Sequence, residues 1–445
     1  MFLTGTMRIN AAGHLEIGGC DTVELAKQYG TPLYIMDETL IRQNCAAYRD
    51  TFAALYPDSL VAYAGKAFLT TAMCCLVEEE GLALDVASGG EIYTAHVAGF
   101  PASRMIYHGN NKTPDEIRFA LDLGVGRFVV DSLSELELLN EVAVAAGKTA
   151  TVLIRVKPGI EAHTHHYIQT GQMDSKFGLG LADGQALAAV KTALKMKHIK
   201  FTGLHCHIGS QIFDLKPFQL AVHVMMDFIQ EIRKKTGVSV QELDLGGGFG
   251  IRYLRDDNPY ALTEFVELIV TAVNAKAAEH NLPLPKLLVE PGRSIVGEAG
   301  TTLYTVGTIK DVPGIRRYVA VDGGMTDNLR TALYEAKYEA IVANKAKAAA
   351  EETVSIAGRA CESGDILIWD IELPALKRGD LLAVLSTGAY HYSMSNNYNR
   401  FPRPAVVFVR DGRADVVVER ETYADITRND VIPPRLQQSV RQAAK

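Results

Sequence analysis

Apolar residues in this chain gather in short runs that break off in polar or glycine-rich clusters, and eight such runs follow one another between residues 60 and 293. They occupy 60–64, 81–84, 105–107, 127–130, 151–156, 201–204, 240–245 and 286–289. Lacking the in/out alternation of a half-exposed strand, they read as strands buried on both faces of a parallel sheet. Stretches with helical spacing separate them, at 70–79, 91–98, 114–123, 133–146, 184–196, 217–235 and 260–280. Pro114 and Pro217 fall where a first-turn proline sacrifices no hydrogen bond. Eight alternating units in about 230 residues are the count and length of a closed (β/α)8, TIM-like barrel.

Beyond residue 300 the pattern changes. Short β runs at 303–309, 317–321, 354–356, 365–369, 381–385, 405–409 and 414–418 are separated by turns, and Asp411-Gly412 between the last two is a hairpin signal. These predict a second, β-rich domain. The alanine-rich stretch 339–352 reads as a helical excursion within it, and the extended run 33–37 as a strand able to join it. Residues after about 433 have little to anchor them. The expected division is an N-terminal segment, 1–37, associating with the β domain; the barrel, 38–300; and the β-rich domain, 301–445.

Composition narrows the function classes. A chain of 445 residues is long for one core, which agrees with two domains. It is 48% apolar and 22% charged, and no run approaches the roughly 20 apolar residues of a membrane span. The start, 1–9, lacks the pattern of a secretory signal, so the expected location is the cytoplasm. Six cysteines without paired spacing suggest reduced thiols rather than a disulfide framework or a zinc site. With a net charge of -7 and no basic stripe, nucleic acid is not an expected partner.

In a parallel barrel all strands end on one face, so the eight clusters converge on one mouth. Gly246-Gly247-Gly248-Phe249-Gly250 follows the seventh run, where such barrels commonly hold a phosphate on backbone N–H groups. Glycines there permit positive φ and close approach of an anion. Arg293, closing the eighth cluster Glu290-Pro291-Gly292-Arg293, can reach the same ligand. Lys66 follows the first run directly, and an amine facing a phosphate nest is what pyridoxal 5'-phosphate requires: a Schiff-base partner and a distant cradle. Burial and the neighbouring phosphate pull its pKa in opposite directions, and the sequence leaves open which prevails. Glu290 can hold a pyridine nitrogen protonated, a charge-assisted hydrogen bond of about 1.5–3 kcal/mol that keeps the ring an electron sink. His205 and His207 share a strand face, but no third ligand is indicated and no metal is expected; an imidazole there also stacks on a cofactor ring. The run His163-Thr164-His165-His166 reads as a solvent-exposed lid.

Assembled, Lys66, His205-Cys206-His207-Ile208-Gly209-Ser210-Gln211, the glycine run and Glu290-Pro291-Gly292-Arg293 resemble the fold-type III pyridoxal-phosphate decarboxylases, whose barrel is of the alanine-racemase type. Within them the chain is similar to the diaminopimelate decarboxylase family, through Ser175-Lys176-Phe177-Gly178-Leu179, Asp322-Gly323-Gly324-Met325 leading to Arg330 and Leu333-Tyr334, Cys361-Glu362-Ser363-Gly364-Asp365, Gly388-Ala389-Tyr390 with Ser393-Met394, and Asn397-Tyr398-Asn399. The similarity spans nearly the whole chain in order. It departs at Tyr338, where many members have histidine.

The resemblance implies Lys66 as the Schiff-base lysine and His207 as the ring-stacking face. Ser210, Gly246, Gly247, Gly248, Gly292, Arg293 and Tyr390 would hold the phosphate, and Glu290 the pyridine nitrogen. Substrate contacts carry over to Arg293, Arg330, Tyr334, Glu362 and Tyr390. Cys361 matches the proton donor contributed by a neighbouring subunit, which implies a homodimer with shared sites. The implied reaction is decarboxylation of the D centre of meso-2,6-diaminopimelate to L-lysine and carbon dioxide, the last step of lysine biosynthesis. A substrate with two ammonium and two carboxylate groups needs two cationic partners and an anionic one, and Arg293, Arg330 and Glu362 supply them. Rival readings are a decarboxylase of ornithine or arginine, which lack the second carboxylate, a racemase, which needs an acid/base on the opposite ring face, and a non-catalytic pyridoxal-phosphate carrier.

Overall fold

A computed structural model describes residues 3–160 and 175–436. Eight parallel strands, Ser59–Ala64, Ala83–Val86, Met105–Tyr107, Arg127–Val130, Ala150–Lys157, Ile199–His205, Glu242–Asp244 and Lys286–Val289, pair in chain order. The last returns to the first with Leu288 opposite Leu60, which closes the barrel. Alternate side chains fill its lumen: Ala62, Ala83, Ile106, Val129, Leu153 and Leu288 form one enclosed cluster. Their neighbours along the strands, among them Val61, Tyr63, Leu84 and Met105, point outward and pack on the helices. Burial on both faces explains the continuous apolar runs, each such side chain contributing about 1.5–3 kcal/mol.

Each of the seven expected helices forms: Thr71–Glu79, Gly89–Val97, Pro114–Leu123, Leu133–Ala146, Gln185–Ala193, Lys216–Thr236 and Leu262–His280. Pro114 sits in a first turn capped by Thr113, whose hydroxyl accepts from the Glu116 N–H. An eighth helix, Glu38–Leu55, was not anticipated; it buries Ile41, Cys45, Tyr48 and Phe52, a helical spacing that was legible in the sequence. Among the described residues no helix is long and apolar enough to cross a membrane, and the six cysteines are free.

The β region is a single twisted sheet ordered Ile366–Leu373, Glu352–Ala357, Arg316–Val321, Gly300–Val312, Leu33–Asp37, Ala405–Arg410, Arg413–Val418. Leu33–Asp37 lies in its middle, antiparallel to Gly300–Val312 and parallel to Ala405–Arg410, so the chain, after a small separate sheet at Arg8–Ile9, Leu15–Ile17 and Cys20–Asp21, passes through this sheet, leaves to build the barrel and returns. Asp411 and Gly412, with φ of 50° and 77°, make the hairpin turn. One expectation is overturned. The stretch 339–352 is not a helix: Ala340–Val342 is a strand paired with Leu381–Val384, followed by a short turn at Ala343–Lys345. Alanine propensity loses there to packing, since Ile341, Ala343 and Ala346 are buried in the sheet's core.

The two parts meet at Gly388. Its N–H donates to Gly297 O (3.0 Å), and Thr387 N–H donates to Gly300 O (2.8 Å). A Cβ at Gly388 would lie 1.8 Å from Val296 O, backbone that cannot move without shifting the junction. Gly388→Ala is expected to destabilise by about 1–3 kcal/mol, read as a lower midpoint of thermal unfolding. Gly90→Ala, where a Cβ meets only Ser88 Oγ at 3.7 Å, should leave that midpoint unchanged or raised.

Candidate active site

The barrel strand ends converge on one mouth, and the loops there are braced by backbone contacts. Lys66 lies in the turn Gly65–Ala67 that follows the first strand. The Tyr390 N–H (2.8 Å) and the Ser393 hydroxyl (3.1 Å) both donate to Ala67 O, so the β domain is fastened one residue from the lysine. Loops after the sixth and seventh strands bind each other: Ile212 N–H donates to Gly248 O (2.9 Å) and Gly250 N–H to Ile212 O (3.0 Å). Gln211, at φ 58°, clamps both polar groups of Ile251 with its amide. Gly248, at φ 113°, has no room for a side chain, because a Cβ would lie 2.3 Å from Gly209 O.

These loops enclose a cavity of about 270 Å³ lined by Lys66, His207, Ser210, Glu290, Arg293, Arg330, Tyr334 and Tyr390, together with Asp85, His108, Arg155, Phe177, His205 and Met394. A narrower recess of about 40 Å³ adjoins it, lined by Gly247, Gly248, Gly292 and Ser294. Gly246 stands behind that lining, its N–H donating to Asp244 Oδ1 (2.9 Å). At one end the Arg293 guanidinium donates to Ser210 Oγ (3.0 Å) and to the Tyr253 hydroxyl, and stacks 4.9 Å over Tyr390. Arg330 stacks over Tyr334 (5.2 Å) and Tyr390 (5.5 Å), with its Nε–H on Tyr338 Oη (3.0 Å). Two cations and their aromatic faces thus line one wall.

At the other end lie three buried carboxylates and two buried imidazoles. Glu290 Oε1 is 2.6 Å from His108 Nε2, and Oε2 is 3.2 Å from His205 Nε2. The His108 approach is close but poorly aligned as a hydrogen bond, so Oε1 keeps acceptor capacity. Burial opposes the charge on Glu290, yet His108 and His205 outweigh it and hold the carboxyl well below its usual range. Burial pushes Asp85 up, against His108, and pushes Asp244 well up with help from the Glu290 charge. Of the three, Glu290 carries the negative charge. Burial drives His205 down to about 4 and His207 well below its ordinary value, so both rings are neutral.

The Lys66 side chain opens into the cavity, with protein around its remaining sides. Burial works against its ammonium, but Tyr390, Asp85 and Glu290 prevail and raise its pKa.

Two expected residues lie elsewhere. Cys361 and Glu362 are exposed and do not line the cavity of their own chain. They sit on a turn built around buried Asp365, whose Oδ2 accepts from Ala360 N–H (2.8 Å) and Oδ1 from Met325 N–H (2.6 Å), while Asn399 Oδ1 accepts from Cys361 N–H (2.7 Å). The expected lid at His163 falls outside the described residues. Arg155 is the one lining residue sequence reasoning missed outright: buried, 3.7 Å from Asp131 and 4.5 Å over Phe177. A cation flanked by apolar Ile154 and Val156 in the interior of the strand Ala150–Lys157 was the available signal. Asp85 and His108 follow the runs 81–84 and 105–107, and the sequence assigns them no role.

The donor set fits pyridoxal phosphate on the structure's own terms. A side-chain-free glycine recess beside a guanidinium suits a phosphate, an amine opens into the cavity, and a buried anionic carboxylate with spare acceptor capacity faces in from the far end. The profile of the pyridoxal-dependent decarboxylase pyridoxal-binding domain matches residues 38–297. Diaminopimelate decarboxylase of Bacillus subtilis (strain 168) is 56% identical over 97% of this chain and 98% of its own length, and that of Bacillus methanolicus is 53% identical over 95% and 98%. The crystal structure of diaminopimelate decarboxylase from M. jannaschii in co-complex with L-lysine superposes with a TM-score of 0.90 at 39% identity, covering 97% of this chain and 99% of that one. The chain therefore belongs to the pyridoxal-dependent decarboxylases, and among them to the diaminopimelate decarboxylase family.

Proposed function

We propose that the protein decarboxylates the D centre of meso-2,6-diaminopimelate, giving L-lysine and carbon dioxide, with pyridoxal 5'-phosphate as cofactor. The carrying observation is that Lys66, Glu290 and Arg330 line one cavity in a chain that matches a diaminopimelate decarboxylase over 97% of its length. The M. jannaschii relative's L-lysine is the product this reading requires. Lys66 bears the cofactor. Ser210, Arg293, Tyr390 and the side-chain-free recess at Gly247, Gly248 and Gly292 would hold its phosphate, with Gly246 backing that recess through its bond to Asp244, and neutral His207 would face its ring. Bound there, pyridoxal phosphate supplies an electron sink for the carbanion left when carbon dioxide departs. Glu290 supports that sink by keeping a negative charge at the ring nitrogen.

Arg293, Arg330, Tyr334 and Tyr390 bind the substrate carboxylates, and the buried wall they form excludes water from these contacts. Ornithine and arginine lack the second carboxylate that two arginines serve. The acid and the remaining anionic contact are not in the chain's own cavity, and this supports a homodimer. Cys361 of the partner subunit returns a proton to the α carbon, and Glu362 of the partner subunit meets the distal ammonium. The rigid turn about Asp365 is suited to presenting both outward. Decarboxylation of a small water-soluble amino acid for biosynthesis supports a cytoplasmic location.

The purified protein is expected to show a yellow absorption band on reconstitution with pyridoxal phosphate, and Lys66→Ala should abolish it; a colourless wild type would end this reading. In a substrate panel scored by carbon dioxide release, diaminopimelate should exceed ornithine and arginine. Arg330→Ala should lower kcat/KM for it by about 10–100-fold, the loss of one charged hydrogen-bonding partner. For the shared site, Lys66→Ala and Cys361→Ala proteins are mixed under exchanging conditions. Each is inactive or nearly so alone, and the mixture should regain about a quarter of wild-type activity, since half the random dimers then hold one intact site of two. No recovery despite proven exchange would remove the partner-supplied Cys361.

A further inference from the structure

Lys112 and Glu135 form a buried ion pair that only braces a loop, and the aromatic cavity behind Phe249 carries no ligand-defining chemistry beyond Glu298. His108 carries more. It follows the third barrel strand, is 7% exposed, and stands between two carboxylates, 2.6 Å from Glu290 Oε1 and 3.7 Å from Asp85 Oδ1. Its ring meets that of His205 edge-on, at 5.0 Å between centroids and 68° between planes. His205 bonds the other Glu290 oxygen at 3.2 Å, so the two imidazoles flank the carboxylate from two strands, His205 by an aligned hydrogen bond and His108 by a close polar contact that a small ring rotation aligns.

We propose that His108 is a positioning residue which, with His205, sets where the proton shared by Glu290 and the cofactor's ring nitrogen resides, keeping it on the nitrogen. The inference rests on the function proposed above. A buried carboxylate with no donors is a strong base, because burial penalises its charge. Each imidazole N–H that reaches it lowers its proton affinity. A proton placed between that carboxylate and an aromatic nitrogen then moves to the nitrogen, and the ring becomes the better electron acceptor.

The surroundings agree with this order. Neutral His205 donates through Nε2 only if its proton is there, which leaves Nδ1 bare, and among the described residues His205 Nδ1 has no partner. The other charged groups facing the pair are Asp85, Asp244, Arg155 and Lys66. Asp85 and Asp244 are pushed toward the neutral acid, so they leave Glu290 as the charged acceptor. His108 touches Glu290 rather than the cavity's phosphate end, so it acts through the carboxylate.

The test uses holoenzyme loaded with cofactor labelled with 15N at the ring nitrogen. In the wild type the nitrogen should resonate as a pyridinium. His108→Phe removes the donor and should move the resonance toward neutral pyridine, with kcat falling about 10–100-fold, as for other residues that orient a charged ligand, and KM little changed. His108→Gln can still donate to Glu290 and should keep the pyridinium resonance. If His108→Phe does not fold, His108→Asn, too short to reach Glu290, should give the same displacement. A pyridinium resonance with wild-type kcat in the variants lacking the donor overturns the inference while leaving the decarboxylase reading intact. A wild type that takes up no cofactor overturns the decarboxylase reading instead.

Discussion

The structure depends on one closure: the eighth strand, Lys286–Val289, pairs in register with the first, Ser59–Ala64. Once that seam forms, no strand edge remains in the barrel, and all eight strands must tilt so that their carboxyl ends crowd one mouth. The seam continues past the ladder, since Ala64 N–H donates to Pro291 O at 3.1 Å. It therefore places Lys66 and Glu290, far apart in the chain, on opposite sides of a single joint. Small lumen residues such as Ala62 and Ala83 let the barrel close at this radius, and larger ones at Ile106, Leu153 and Leu288 fill what is left.

Closure concentrates ionisable groups in a place with little water, and the site exists because their charges are sorted. Three carboxylates cannot all ionise there. Asp85 and Asp244 are driven toward the acid by burial, while His108 and His205 outweigh burial at Glu290 and keep it charged. The same field raises Lys66. Acceptor and amine are thus defined by their neighbours rather than by residue type, and the neighbours come from six different strands.

The barrel by itself is only half a pocket. Arg330, Tyr334, Tyr390 and Met394 come from the β region and reach the mouth because Gly388 lets two backbones touch and Tyr390 is tied to Ala67 O. With Leu33–Asp37 at the centre of that sheet, the barrel is threaded through the domain that completes its site. A disturbance at the junction bears on both.

Local pattern determined much of this protein. Buried strands write themselves as apolar runs, glycine where a Cβ would strike Gly209 O or Glu290 O has no substitute, and so the barrel, its order and the clusters at the strand ends were legible. The resemblance pointed to Arg330, Tyr334 and Tyr390 on the β region, which line the same cavity. Propensity misread 339–352, because Ala340–Val342 is a strand by virtue of its partner Leu381–Val384 and not of its own composition. The roles of His108 and Arg155 were hidden for a related reason: a histidine in a loop or an arginine in a strand acquires a function only from what stands opposite, here Glu290 on the eighth strand and Asp131 after the fourth. Sequence specifies which groups are present and which face they occupy; distance and dielectric, which decide their charge, arise only when the strands close.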